Sequence, residues 1–268
     1  MCTHCGCSSD KAILTEFESD HHRHHHLQAE PKTLHLQQAL LAENDDIANQ
    51  NRTGFQTQGI TCINLMGTPG AGKTALLEAT LSAFHNDLPS IAVLEGDQQT
   101  LNDAKRVQKA GGQVVQINTG TGCHLDADLV KTGLEKLAPK SGSLIFIENV
   151  GNLVCPALFD LGESHRIAMM AVTDGNDKPE KYPHLFSRCE LVIINKADLM
   201  EYVDFDLSTV QQAIAQLNPH AEVLLLSTKT LLGFDQWRKW LITATNTENK
   251  YSTGHICSMK TSTTLTHD

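Results

Sequence analysis

No apolar run in this chain is long enough to cross a bilayer. The longest, Leu191-Val192-Ile193-Ile194 and Val223 to Leu226, fall far short of the ~20 residues a spanning helix needs. Basic residues are scarce: Lys and Arg total 21 against 31 Asp and Glu, for a formal net charge of −10. A nucleic-acid binder needs a basic footprint, so that class is excluded. A basic-then-apolar leader is also missing, because the chain opens on cysteines and acids. There is no internal repeat. These absences lead us to expect a soluble, cytoplasmic protein with no membrane partner. With 268 residues, 40% of them apolar, the chain can bury a core, which excludes wholesale disorder.

What is present in excess is soft-ligand chemistry, with 8 Cys and 14 His. In a reducing compartment clustered cysteines point to metal or catalytic chemistry before disulfides. Composition divides the chain. Residues 1–57 carry the cysteine cluster, a histidine tract and one amphipathic segment with Leu34, Leu36, Ala39, Leu40, Leu41 and Ile47 near helical spacing. This region is expected to be flexible and metal-binding, with Asn49 to Gly59 as a linker. Residues 58–245 alternate short β-branched or Leu-rich runs with helical patterns. Strands are expected at 60–66, 91–95, 114–117, 144–148, 167–172, 191–194 and 223–226, and helices at 73–84, 100–110, 126–137, 207–217 and 234–241. The expected fold class is α/β, a mostly parallel sheet of about seven strands with helices on both faces. Residues 246–268 read as a disordered tail, fraying from Thr245.

Gly67-Thr68-Pro69-Gly70-Ala71-Gly72-Lys73-Thr74 matches G-x-x-x-x-G-K-[ST] between an apolar strand and a helical pattern. The glycines let backbone N–H groups wrap phosphates at a helix N-terminus. Lys73 is expected on the β- and γ-phosphates and Thr74 on Mg²⁺. Asn195-Lys196-Ala197-Asp198 follows a later strand and reads as N-K-x-D. A carboxylate at Asp198 can accept from guanine N1–H and the 2-amino group, a donor pair adenine lacks, while the Lys196 stem covers the base. GTP and GDP are therefore the expected nucleotides. Asp97 and Glu148 end two strands at the ligand edge, where they can hold Mg²⁺ or act in catalysis; the bland alternative is a pair of acidic strand caps.

Three groups of soft ligands stand apart. Cys123-His124 and Cys155 leave the same expected sheet edge, and three ligands leave room for water or a second chain. Cys2-x-x-Cys5-Gly6-Cys7 suits Ni²⁺ or Zn²⁺. His21, His22, His24, His25 and His26 form a short tract suited to weak nickel binding. Cys62, Cys189 and Cys257 read as packing or tail residues.

Taken together these motifs resemble the HypB-type GTPases of [NiFe]-hydrogenase maturation. The resemblance extends to Glu95-Gly96-Asp97-Gln98-Gln99-Thr100, to Asn118-Thr119-Gly120 leading into Cys123 through Ala127, and to Ile147 through Pro156. It further includes Phe159 through Glu163, Asp177 through Pro183 and Tyr202 through Asp206. It implies a dimerising SIMIBI-type P-loop NTPase fold, slow GTP hydrolysis, and a homodimer formed with GTP. By matching motif, Cys2, Cys5 and Cys7 would be a high-affinity nickel site, and Cys123, His124 and Cys155 a zinc or nickel site near the dimer interface. The implied partners are a HypA-type nickel and zinc maturation protein, a SlyD-type nickel donor and, indirectly, the hydrogenase large subunit. The chain departs from the common guanine-contacting Ser-Ala-Lys with Ser227-Thr228-Lys229. Lys178 or Lys181 is expected to reach nucleotide across a dimer. Competing readings are a urease-type nickel GTPase, a non-catalytic nickel store and a small-molecule kinase.

Overall fold

The computed structural model describes residues 31–84, 86–97, 102–120 and 122–254, with side chains described within 39–246. Cys2, Cys5, Cys7, His21, His22, His24, His25, His26 and Cys257 lie outside the described residues. Seven strands form one sheet: β1 (Thr61–Gly67), β2 (Ile91–Asp97), β3 (Gln113–Asn118), β4 (Leu144–Glu148), β5 (His165–Ala171), β6 (Leu191–Asn195) and β7 (Glu222–Leu225). Their order is β3-β2-β4-β1-β5-β6-β7, and every pairing is parallel. β1, β4 and β6 are buried along their whole length. That burial on both faces explains why they read as continuous apolar runs and not as alternating patterns.

The helices are α1 (Pro31–Gln58), α2 (Lys73–Phe84), α3 (Asn102–Lys109), α4 (Ala127–Leu137), the single turns α5 (Lys178–Lys181) and α6 (Pro183–Phe186), α7 (Leu207–Leu217) and α8 (Phe234–Gly254). One sheet face packs Ile63, Leu65, Val93 and Phe146 against Leu76 and Leu77 of α2 and Trp237 and Leu241 of α8. The opposite face carries two cores. Met170, Val192 and Ile194 meet Phe186 of α6 and Val210 and Ile214 of α7. Cys62, Leu94, Ile145 and Ile147 meet Phe55 of α1 and Val130 of α4. Trp237 is fully buried, and its indole N–H donates to Thr80 Oγ1 on α2 at 2.9 Å. Burying a side chain of that size is worth on the order of 4–6 kcal/mol in transfer free energy, and the hydrogen bond removes the polar cost.

Two expectations need correction. The segment Asn49 to Gly59 is no linker: α1 runs through it to Gln58. Its buried residues are Asn44, Ala48, Asn51 and Phe55, whereas Ala39 and Leu40 of the expected apolar stripe are exposed. The face α1 buries is half amide, so apolar spacing alone does not trace it. Asn44 Oδ1 accepts from Ala127 N–H at 2.9 Å and its Nδ2 donates to the Asp160 carbonyl at 2.8 Å. Asn51 Nδ2 donates to the carbonyls of Ala127 and Leu161. Buried amides satisfied this way act as docking groups. Gly162, at φ +87°, lies under α1; a Cβ there would meet the Ala48 carbonyl oxygen at 2.4 Å. The second correction concerns the tail. α8 continues past Leu241 to Gly254, with Ala244 and Thr245 buried and the Thr245 hydroxyl donating to the Leu241 carbonyl.

Candidate nucleotide and metal sites

The phosphate loop joins β1 to α2 at the carboxyl edge of the sheet, beside β4 and β5. Gly72 takes φ +97°, a conformation that strains any side chain, and a Cβ on it would meet Asn195 Nδ2 at 2.6 Å. A Cβ on Gly67 would meet the Met169 carbonyl oxygen at 2.3 Å. Thr68 Oγ1 donates to Asp174 Oδ2 at 2.6 Å, and the Ala171 N–H donates to the same oxygen, so Asp174 ties the loop to the end of β5. Lys73 is buried, with Nζ near the carbonyls of Gly67 and Thr68 at 3.4 and 3.5 Å. Burial lowers its pKa, opposed by the charge of Glu148.

Thr74 Oγ1 donates to Glu148 Oε1 at 2.7 Å, which joins two of the expected Mg²⁺ ligands. Burial pushes Glu148 up to about 7, against the opposing pull of Lys73 and the Thr74 hydrogen bond. Asp97, at the end of β2, lines the same cleft of about 350 Å³ with Lys73, Thr74, Asp103 and Arg106. Glu95 lines it too, and the sequence had not singled it out as a ligand. It sits in register with Glu148 on the neighbouring strand and is 2% exposed. Burial, then the charge of Glu148, pushes its carboxyl up to about 8. Among the described residues, Glu95 Oε2 and Glu148 Oε2 are buried with no hydrogen-bond partner. Two orphaned carboxylate oxygens beside a threonine hydroxyl and a lysine suit a hard divalent cation.

On the base side Asn195 is fully buried and does not face outward as a reader. Its Nδ2 donates to the Ala71 carbonyl at 2.8 Å and its Oδ1 accepts from Thr228 N–H at 3.2 Å. It therefore staples the phosphate loop to the Ser227–Lys229 loop. Lys196 adopts a left-handed conformation at φ 63°, at the point where the chain leaves β6. The Ser227 hydroxyl donates to Asp198 Oδ1 at 2.6 Å, and Lys229 Nζ lies 3.9 Å from Asp198 Oδ2. These contacts aim the carboxylate that would accept from guanine. Ser227 Oγ in turn accepts from the N–H groups of Lys229 and Thr230. Thr228 joins the Asn195 staple through its backbone N–H, a contact that does not depend on its side chain. Lys181 is exposed on α5 and paired with Asp177; Lys178 lies on the same turn.

Beyond the phosphate loop lies the soft-ligand cluster. Cys123, His124 and Cys155 bring their ligand atoms within 4.8 Å of one another, as the shared sheet edge had suggested. The Cys123 and Cys155 sulfurs are 3.0 Å apart and Cys123 Sγ is 3.7 Å from His124 Nδ1. Cys123–His124 follows β3, and Cys155 opens a 3-10 turn after β4 with Pro156 next in the chain. The His124 ring stacks on Phe159 with centroids 4.0 Å apart. Burial lowers the His124 pKa, opposed by Asp126, and so favours the neutral imidazole that ligates metals. Two thiols and one imidazole suit zinc or nickel and leave a fourth position for water or a group from another chain. Cys62 and Cys189 are core residues, and burial raises the Cys189 thiol well out of the reactive range. Among the described residues no helix is long and apolar enough to cross a membrane.

Residues 61–225 match the family model for the CobW/HypB/UreG nucleotide-binding domain. The hydrogenase maturation factor HypB of Rhizobium leguminosarum bv. viciae is 45% identical over 213 residues, covering 80% of this chain and 71% of that protein. The crystal structure of hydrogenase maturation factor HypB from Archaeoglobus fulgidus aligns with a TM-score of 0.71 at 38% identity, over 76% of this chain and 100% of that one. HypB from Helicobacter pylori, solved in complex with nickel, aligns with a TM-score of 0.72 at 35% identity, over 78% of this chain and 97% of that one. The chain carries the P-loop NTPase-type fold of these proteins, and it belongs to the HypB family of hydrogenase maturation GTPases.

Proposed function

We propose that this protein is a GTP-hydrolysing nickel metallochaperone that assists nickel insertion into the [NiFe]-hydrogenase large subunit in the cytoplasm. The observation that carries the reading is the pairing of two sites on one sheet edge: a phosphate cleft around Lys73, Thr74 and Glu148, and a Cys123–His124–Cys155 cluster on the adjoining loops. Lys73 contacts the β- and γ-phosphates, and Asp198, aimed by Ser227, reads guanine. Thr74, Glu148 and Asp97 would hold Mg²⁺, which when bound would neutralise phosphate charge. Asp97, holding Mg²⁺ through a water and not directly, would stay basic enough to accept the proton of the attacking water as that oxygen bonds the γ-phosphorus and the bond to the bridging oxygen of the departing GDP breaks. Slow hydrolysis is what the family resemblance implies, and it accords with the two cations that line the cleft among the described residues, Lys73 and Arg106, the second of them held by Glu78 and Asp103.

In this reading GTP promotes a homodimer, and nickel or zinc occupies the Cys123–His124–Cys155 site with an affinity that depends on the nucleotide. Cys2, Cys5 and Cys7 hold nickel tightly, and His21, His22, His24, His25 and His26 hold it weakly. A HypA-type protein, a SlyD-type donor and the hydrogenase large subunit are the partners, the last reached indirectly. The test is Ni²⁺ binding to the reduced, untagged full chain by competition with a coloured chelator, beside a Cys2/Cys5/Cys7→Ala triple variant, with GDP and with a non-hydrolysed GTP analogue. The expected result is tight binding lost in the variant and a weaker, nucleotide-sensitive site that survives. Binding indifferent to both nucleotide and cysteines would overturn it.

A further inference from the structure

The segment between Glu148 and Cys155 runs from one site to the other, and two asparagines stitch it to both. Asn149 directly follows Glu148, the acceptor of the Thr74 hydroxyl, and is 1% exposed. Its Oδ1 accepts from Leu125 N–H at 3.3 Å and from Val150 N–H at 3.0 Å, and Leu125 is the residue after His124. Its Nδ2 donates to Asn64 Oδ1 on β1, and its own N–H donates to the Leu65 carbonyl. Asn152 forms a backbone bridge with Gly67, the first residue of the phosphate loop. Its Nδ2 donates to the Cys123 carbonyl at 3.4 Å, and its Oδ1 accepts from Val154 N–H at 3.0 Å, one residue before Cys155. A single amide thus brackets both thiols, while the backbone of the same residue is fixed to the phosphate loop.

We propose that Asn149 and Asn152 are the positioning residues through which nucleotide state sets the geometry of the Cys123–His124–Cys155 site. Asn152 acts on the thiol pair from the phosphate-loop side, and Asn149 acts on the imidazole from the Glu148 side. The inference rests on the reading that both sites bind their ligands. The coupling is reciprocal: a nucleotide that moves Gly67 or Glu148 moves the two amides, and a metal that draws the thiols and imidazole together pulls back on the same hydrogen bonds. Each asparagine joins the sites through two different parts of one residue. The Asn152 backbone bridges Gly67 while its amide bonds Cys123 and Val154. The Asn149 backbone continues from Glu148 while its amide bonds Leu125 N–H, so a shift at the nucleotide side is passed on through these hydrogen bonds.

The experiment uses the full chain carrying Cys2/Cys5/Cys7→Ala, so that the sulfur-to-nickel charge-transfer band reports the remaining thiolate site. Ni²⁺ affinity is measured with GDP and with a non-hydrolysed GTP analogue for this parent, Asn149→Ala, Asn152→Ala and the milder Asn152→Asp, which keeps the acceptor for Val154 but loses the donor to Cys123. Couplings of this kind amount to about 5- to 150-fold in affinity. The expected result is a nucleotide ratio in that range for the parent, within about two-fold of unity in the Asn→Ala variants and intermediate in Asn152→Asp. Nucleotide affinity without metal should stay that of the parent in the two Asn152 variants, whose side chain bonds the metal loops while the backbone keeps the phosphate-loop bridge; for Asn149, which lines the nucleotide cleft, the ratio alone is the readout. A merely structural role would lower metal affinity equally with both nucleotides and leave the ratio intact, which would overturn the proposal. A parent ratio of unity would also overturn it. If the band survives Cys123→Ala, the metal-site reading itself fails, an outcome distinct from the other two.

Discussion

Replacing Asn44 with alanine removes from α1 a side chain that bonds in both directions. Its Oδ1 accepts from Ala127 N–H at 2.9 Å and its Nδ2 donates to the Asp160 carbonyl at 2.8 Å, in a contact where Asn44 is 6% exposed. Each hydrogen bond contributes about 0.5–1.5 kcal/mol net, and each buried group left unpaired costs about 1–3 kcal/mol. Ala127, in the first turn of α4, is fully buried, so only water entering the space vacated by the amide can recover part of the loss, and the expected total is about 2–4 kcal/mol. For a domain of this size each kcal/mol moves Tm by about 2–4 °C, which gives a fall of about 5–15 °C. Urea and thermal unfolding of the full chain would measure it, with an unchanged urea slope as the check on two-state behaviour. Hydrogen exchange at the Ala127 amide should quicken in parallel. Asp45→Ala, one position along and exposed, is the control and should stay within about 0.5 kcal/mol. A loss below about 1 kcal/mol for Asn44→Ala would refute the argument that paired buried amides hold α1 to the sheet.

Lys73→Ala should reduce GTP hydrolysis by about 10²- to 10³-fold with the near-UV circular dichroism retained, and an unchanged turnover would remove Lys73 from the phosphate site. Asp198→Asn should erase most of the preference for GTP over ATP, measured as a ratio of dissociation constants, because a neutral amide no longer accepts both guanine donors; an undiminished ratio contradicts the assignment. Without nucleotide or divalent cation, stability should fall as pH rises. Glu95 and Glu148 hold protons at about 8 and about 7 in the folded chain against 4.5 for an ordinary glutamate, so folding takes up protons between those values. The contribution is complete below about 4.5 and lost above about 8, and a combined Glu95→Gln and Glu148→Gln variant should flatten the pH dependence of the urea midpoint.

Where the sequence was readable, the reason was repetition of a strong local signal. β4 and α2 begin and end where periodicity placed them, because a fully buried strand and a helix opened by the phosphate loop have sharp composition edges. The convergence of Cys123, His124 and Cys155 followed from chain direction, since parallel strands deliver their exits to one edge. Two kinds of residue escaped. Asn44 and Asn51 looked solvent-facing because hydropathy counts an amide by type and cannot see the carbonyls and N–H groups of residues far along the chain that satisfy it. Glu95 stands inside a legible motif, but only the register of β2 against β4 sets it beside Glu148. The roles of Asn149, Asn152 and Phe159 depend in the same way on which loops meet in space.

The staple at Asn195 makes the pocket a caliper. One buried amide spans Ala71 and Thr228, so the cradle for the pyrophosphate and the loop for the base are held at a fixed separation before any ligand arrives. A ligand whose two ends match that span binds the second end as an intramolecular event, at an effective concentration set by the protein and not by the solution. Guanosine and pyrophosphate offered as separate molecules forfeit this advantage, so the protein measures length as well as chemistry at both ends.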